Sequence, residues 1–220
     1  MSSQEKEQSP SRLSRICGIL GLVGCVAALL ANLIGIIVVE QHDPISQTIS
    51  MLAIGKYAWI QDVGLDLFAV GTIALGFGLH QWHLGGSRWT AGTVMLLLLG
   101  VDVFLIAEHN QYIGREGVGA AIHIYCVYAL YLLFSSATLL LSFRLKKISH
   151  SWFRFSLGTF VVWLILAPIF FPFPTQWDGA YERFVALIML TWVGAMSWLL
   201  MRRGTGKLTF SKNQNSQSPL

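Results

Sequence analysis

Six long apolar runs, separated by short polar interruptions, make up most of the chain: residues 16–39, 57–82, 89–108, 117–143, 152–171 and 181–201. Each approaches or exceeds the ~20 helical residues needed to cross about 30 Å of hydrocarbon. The first run is too long for the apolar core of a signal peptide. It also lacks a small-residue cleavage site before the next polar stretch, so it reads as a retained span. Tyr57, Trp59, Trp82, Trp89, Trp152, Trp177 and Tyr181 fall near the run ends, where an interfacial aromatic belt is expected. The pattern therefore predicts an all-α fold, a polytopic bundle of six transmembrane helices occupying residues 15–203. The polar ends, 1–14 and 204–220, are expected to be disordered cytoplasmic tails. No internal repeat marks the chain as an inverted-repeat transporter.

One dense polar run stands in the front half, EQHDPISQTISML over residues 40–52. Asp43 followed by Pro44 has the form of a helix start, an acid at the N-cap and a proline in the first turn. Ile45, Ile49 and Leu52 then share one face, and Ser46, Gln47 and Ser50 the other. This predicts a short amphipathic helix between spans one and two, no longer than three turns, lying in the interface or dipping into the bundle. In the first span, Gly18, Gly21, Gly24 and Ala28 form a small-residue stripe suited to close helix contact. Asn32, in mid-span, is expected to make an interhelical hydrogen bond.

Composition agrees with the pattern: 54% of the 220 residues are hydrophobic and 12% charged, against about 25% charged in soluble domains. The formal charge of +4 matters through its placement, and it does not indicate a nucleic-acid partner. Twelve lysines and arginines flank one side of the predicted bundle: Lys6, Arg12, Arg15, Arg88, Arg144, Lys146, Lys147, Arg154, Arg202, Arg203, Lys207 and Lys212. Only Lys56, Arg115 and Arg183 fall on the other. The positive-inside rule then places both termini in the cytoplasm of a cell membrane. Arg144, Lys146 and Lys147 form a cluster that also suits anionic lipid. The cysteines, Cys17, Cys25 and Cys126, all lie in apolar runs and form no disulfide framework.

With that topology most of the acids gather at the outer side. Asp66 lies nine residues into span two, about 13 Å deep at 1.5 Å per residue. Asp102 lies six residues before the outer end of span three, roughly 9 Å deep by the same rise, and His123 is at a similar depth in span four. A carboxylate in mid-bilayer costs on the order of 2.5–3.5 kcal/mol on insertion scales, so such groups should face inward and find partners. Asp62 and Asp66 share a helix face, as do Asp102 and His109. These residues predict a polar pocket open to the outer surface. Asp66, Asp102 and His123 are its catalytic candidates, with His109 as a further one. Ser46, Ser50 and Arg183 are candidates for binding a substrate. Two carboxylates with a neutral histidine suit a divalent metal such as zinc, although neither HExxH nor HxxxH is present. His80 and His83 sit beside Trp82 at the inner end, and with His123 at the outer they do not supply the matched pairs a two-haem site needs. The competing structural reading is that the acids pair with Arg183, Tyr125 or Tyr128 and fix helix register.

The run HDPISQTISMLA after a first span, Asp102 late in span three, His123 in span four, and Gly179-x-x-x-Arg183 with Trp192 in span six carry a resemblance. On them the chain, over roughly residues 16–202, resembles the bacterial and archaeal membrane family known as domain of unknown function 998. The resemblance implies six transmembrane helices and no particular activity. Members more often have an acid where this chain has Met51.

Three functions fit these residues. One is a membrane-embedded enzyme or lipid-handling protein whose lipid or apolar small-molecule substrate enters from the outer leaflet, with residues 40–52 as a lid. Another is a small proton-coupled transporter using the same acids as a relay. The last is a structural or assembly protein without chemistry. A pocket closed toward the cytoplasm favours the first; a polar path past Asn32 to His80 favours the second; a packed cluster with no cavity favours the third. Oligomeric state is not legible from the chain.

Overall fold

The computed structural model describes residues 12–112 and 116–205. The expectations for residues 1–11 and 206–220, and for Arg115, fall outside them. Six long helices account for most of the described chain: α1 (Arg12–Val38), α2 (Ala58–Trp82), α3 (Ser87–His109), α4 (Val118–Leu145), α5 (His150–Ile169) and α6 (Asp178–Gly204). There is no strand among the described residues. All six are long and apolar enough to cross a membrane. Large apolar side chains stand exposed around the bundle, among them Leu33, Val70, Leu98, Leu132, Ile165 and Leu187. A surface this apolar is suited to lipid.

Local chemistry sets boundaries that hydropathy blurs. Residues 12–14, assigned to the tail by polarity, are already helical. Gly85 and Gly86, both at φ +84°, turn the chain into α3. Ser149 caps α5, its hydroxyl accepting from Trp152 N–H at 3.2 Å. Near the other end of α5, Pro168 has no N–H for the Leu164 carbonyl. The Tyr131 hydroxyl of α4 donates to that carbonyl instead, at 3.4 Å.

Around the bundle α1 packs on α2 and α6, α2 on α3, α3 on α4 and α4 on α5, while α5 and α6 touch lightly. The stripe on α1 makes the tightest seams. A methyl group added at Gly24 would lie 2.6 Å from the Leu67 carbonyl oxygen of α2, and one at Gly18 as close to the Ser197 carbonyl of α6. Even one extra carbon would force these helices apart. The core on the other side is aromatic. Phe134 packs edge-on to Trp163 and Trp192, with ring centroids 4.7 and 5.6 Å away. Trp192 donates to Ser156 at 3.1 Å, and Ser156 passes a bond to the Thr138 carbonyl at 2.9 Å. Ser135 bonds back to the Tyr131 carbonyl of its own helix at 2.7 Å, as mid-helix serines do.

The two described termini lie together, Arg203 donating to the Ser14 hydroxyl at 3.2 Å. The opposite end carries the segment between α1 and α2, which differs from expectation. In place of a short amphipathic helix, residues 43–47 form one turn, and a 3-10 turn follows over Ser50–Ala53. The start signal itself works. Gln47 N–H reaches the Asp43 carbonyl at 2.8 Å, and the Asp43 carboxylate accepts from Ile45 N–H at 3.1 Å and the Ser46 hydroxyl at 2.6 Å. The helix does not propagate because α6 takes the carbonyls and amide it would need. The Ile45 carbonyl accepts from Ala180 N–H at 2.9 Å, and those of Pro44 and Gln47 accept from Arg183. Ile49 N–H donates to Glu182.

Candidate functional site

Two groups of polar side chains occupy this end. The first is built on the start of α6. Gly179 lies so close to the 40–52 segment that any side chain there would strike the Pro44 and Gln47 carbonyls. That approach brings Arg183, one turn on, within reach of three backbone oxygens. Its Nη1 donates to Pro44 (2.9 Å), Gln47 (2.8 Å) and Gly179 (2.9 Å). Nε donates to the Asn32 side-chain oxygen at 3.3 Å, realising the interhelical bond expected of that residue. Nη2 lies 3.0 Å from His42 Nε2, which must accept from it. Beside Arg183, a Glu182 oxygen takes Ile49 N–H at 2.5 Å. Arg183 thus spans α1, α6 and the connecting segment. Burial holds the His42 pKa below its usual value, and the neighbouring guanidinium lowers it further. Asp43, at the surface, is held below the usual carboxylate range, first by the Ser46 hydroxyl and then by Ile45 N–H.

The second group lies between α2, α3 and α4. Asp62 lies near Asn110, just past α3, and feels the charges of Asp66 and Glu108; Asp66 in turn feels Glu108. Asp102, buried, faces the Cys126 thiol on α4. His123, also buried, interacts with the Ile106 backbone and with His109. The expected pocket residues therefore fall on two sides of α3, with Asp66 on the α2 side and Asp102, His123 and His109 on the α4 side. Asp62 Oδ1, Asp66 Oδ1, Asp102 Oδ2 and His123 Nδ1 are buried atoms with no hydrogen-bond partner among the described residues. Buried polar atoms of this kind call for a proton, water or a ligand. No three His, Cys, Asp or Glu side chains among the described residues come together in a way that would hold a metal ion.

A cleft of about 280 Å³ opens beside the first of these sides, lined by Ala53, Ile54 and Gly55, by Ala58 and Asp62 of α2, and by Ala107 and Glu108 of α3. Toward the termini the α2–α3 seam is closed by Phe68, Leu75, Leu79, Leu96 and Leu99, all essentially inaccessible. Ser46 is held in its own turn by Asp43, and Ser50 opens the 3-10 turn. His80, at the opposite end, pairs with Thr93 at 3.1 Å.

The chain matches the protein family of unknown function DUF998 over residues 22–199. It belongs to that family. Within this DUF998 chain, the HDPISQTIS run and Gly179-x-x-x-Arg183, which carried the resemblance in the sequence, turn out to be the two halves of one contact. No curated protein and no solved structure was found to match the chain. Glu108, Glu182 and Asn110 are not among the site candidates read from the sequence, although both acids fall on the predicted outer side. Glu182 had a signal, an acid next to an arginine in the first turns of a span that starts opposite the polar run. Asn110, a single amide in a short connection, had none.

Proposed function

We propose that this DUF998 protein handles an amphiphilic ligand, a lipid or apolar small molecule with a cationic polar end, taken into the Asp62–Glu108 cleft from the outer face of the cell membrane. Both termini then lie in the cytoplasm, as the distribution of lysine and arginine supports. The observation that carries the reading is a cleft with two carboxylates on its wall, no lysine or arginine among the described residues pairing with them, and an apolar seal beneath. Carboxylates in such a place favour a cation, and the apolar surface outside favours its hydrocarbon chain. Asp66, one turn below Asp62, does not line the cleft and enters this reading only through its charge on Asp62. Asp102 and His109, on the α4 side of α3, and His123 of α4 do not line the cleft, and this reading gives them no direct part. A proton-coupled carrier would need the seal of leucines to part, so ligand binding without transport is the expected behaviour.

The test is ligand-induced thermal stabilisation of the purified protein in a non-ionic detergent. A long-chain alkylamine should raise Tm, whereas an uncharged alcohol of equal length should not. Asp62→Asn with Glu108→Gln should abolish the difference. Equal stabilisation by amine and alcohol would overturn the reading, and uptake of the amine into sealed vesicles would replace it with the carrier. Topology is checked separately with a reporter active only outside the cytoplasm, which should be silent when fused to either terminus.

A further inference from the structure

The segment that Arg183 fastens is also a wall of the cleft. Residues 43–49 are bonded to α6, Leu52 is buried against Gly35 of α1, and Ala53, Ile54 and Gly55 line the opening. The two parts are one continuous stretch of chain, joined through Leu52 and Ala53. We propose that the His42–Arg183 contact is a proton-operated latch, which holds residues 40–57 as the closed wall of the cleft while His42 is neutral and releases them when it is protonated. This regulatory role rests on the ligand-binding reading of the cleft only for its consequence, not for the movement itself.

The chemistry of the contact sets the direction. An imidazole nitrogen can accept from the guanidinium only while it carries no proton. Protonation removes the acceptor and places two cations 3.0 Å apart. From α6 the group facing His42 is Arg183, with Glu182 next to it, and on its own segment it is Asp43. From α1 the neighbouring polar group at the node is Asn32, which is neutral. Asp43 moderates the effect without reversing it, because burial and Arg183 are the larger influences on His42. A released His42 returns toward its ordinary value of 6.5. As pH falls through that value the open form takes up its proton first, so acid favours opening; above it both forms are neutral and the latch holds.

The experiment uses a nitroxide on Met51→Cys, an exposed position within the segment, in the full chain in lipid nanodiscs. The unmodified chain serves as the blank, since its three cysteines are buried. The spectrum should be immobilised at pH 7.5 and develop a mobile component toward pH 5. His42→Gln keeps a neutral acceptor at every pH, and its spectrum should not change over that range. Arg183→Lys, which lacks the planar fork, should be mobile throughout. A parent spectrum that does not change with pH overturns the latch, as does a transition that survives in His42→Gln; the latter comparison stands even if Arg183→Lys fails to fold. Alkylamine binding should fall on acidification more in the parent than in His42→Gln. An equal fall, with the label loosening as expected, would overturn the coupling of latch to cleft. Absence of amine binding at pH 7.5 would sink the function proposed above, while the nitroxide spectra would still decide whether the latch exists.

Discussion

Charged side chains do different work at the two ends of this bundle. At the end carrying residues 40–57, Arg183 and Glu182 bond to the backbone and decide the path of the chain. At the end where the termini meet, cations lie over aromatic faces: Arg203 on Trp82, Arg88 on Phe143 and Arg202 on Trp198, each about 4.8 Å from the ring centroid. Lys147 there reaches one carbonyl, that of Leu84, at 3.2 Å. The first arrangement is directional, and an alternative partner for Arg183 would require another backbone course. The second is a fringe of long side chains laid along rings whose packing is already fixed, as Trp82 is by its edge-on contact with Trp89. The same residue type is thus a fold determinant at one end and a cover for aromatic rings at the other.

The contrast breaks most readily at Arg183. Arg183→Met removes the guanidinium donors and strands the Pro44 and Gln47 carbonyls, and should cost about 3–5 kcal/mol in chemical unfolding from detergent. Gly179→Val should cost about 1–3 kcal/mol by pushing the segment off α6, with the loss visible as faster amide exchange over residues 40–52. Trp192→Phe, in the core between the two ends, gives up one bond to Ser156 and should lower stability by about 0.5–1.5 kcal/mol, seen as a small drop in Tm. Arg202→Ala at the termini end should cost no more than about 0.5–1 kcal/mol in the same assay. Were Arg202→Ala to cost as much as Arg183→Met, the distinction between the ends would fall. Asp62→Asn sharpens it from the other side: this acid has no lysine or arginine partner among the described residues, so stability should hold or rise while amine binding is lost.

Much of this is legible in the chain. Six apolar runs give six helices because in hydrocarbon a backbone must satisfy its own hydrogen bonds. The stripe at Gly18, Gly21 and Gly24 announces close contact because side-chain size alone sets how near two helices can come. The 40–52 segment departs from its local pattern for a reason that lies far along the chain, 139 residues on from Pro44. Asp43 and Pro44 do start a turn, but the carbonyls that would continue it belong to Arg183 and Ala180, and local periodicity carries no record of them. The acid cluster departs from expectation differently. Depth can be counted along a span, but depth says nothing of direction around the helix. Glu108 is six residues beyond Asp102, about 240° around α3 at 3.6 residues per turn. One therefore faces α2 and the other α4.

Pro168 has a consequence for how α4 and α5 are joined. A soluble helix interrupted by proline can leave its stranded carbonyl to water, but Leu164 lies in a span where no such solvent reaches, and the Tyr131 hydroxyl fills the role. Tyr131 is in that sense a resident substitute for solvent, and removing its hydroxyl while keeping the proline would leave α5 seeking another donor by bending.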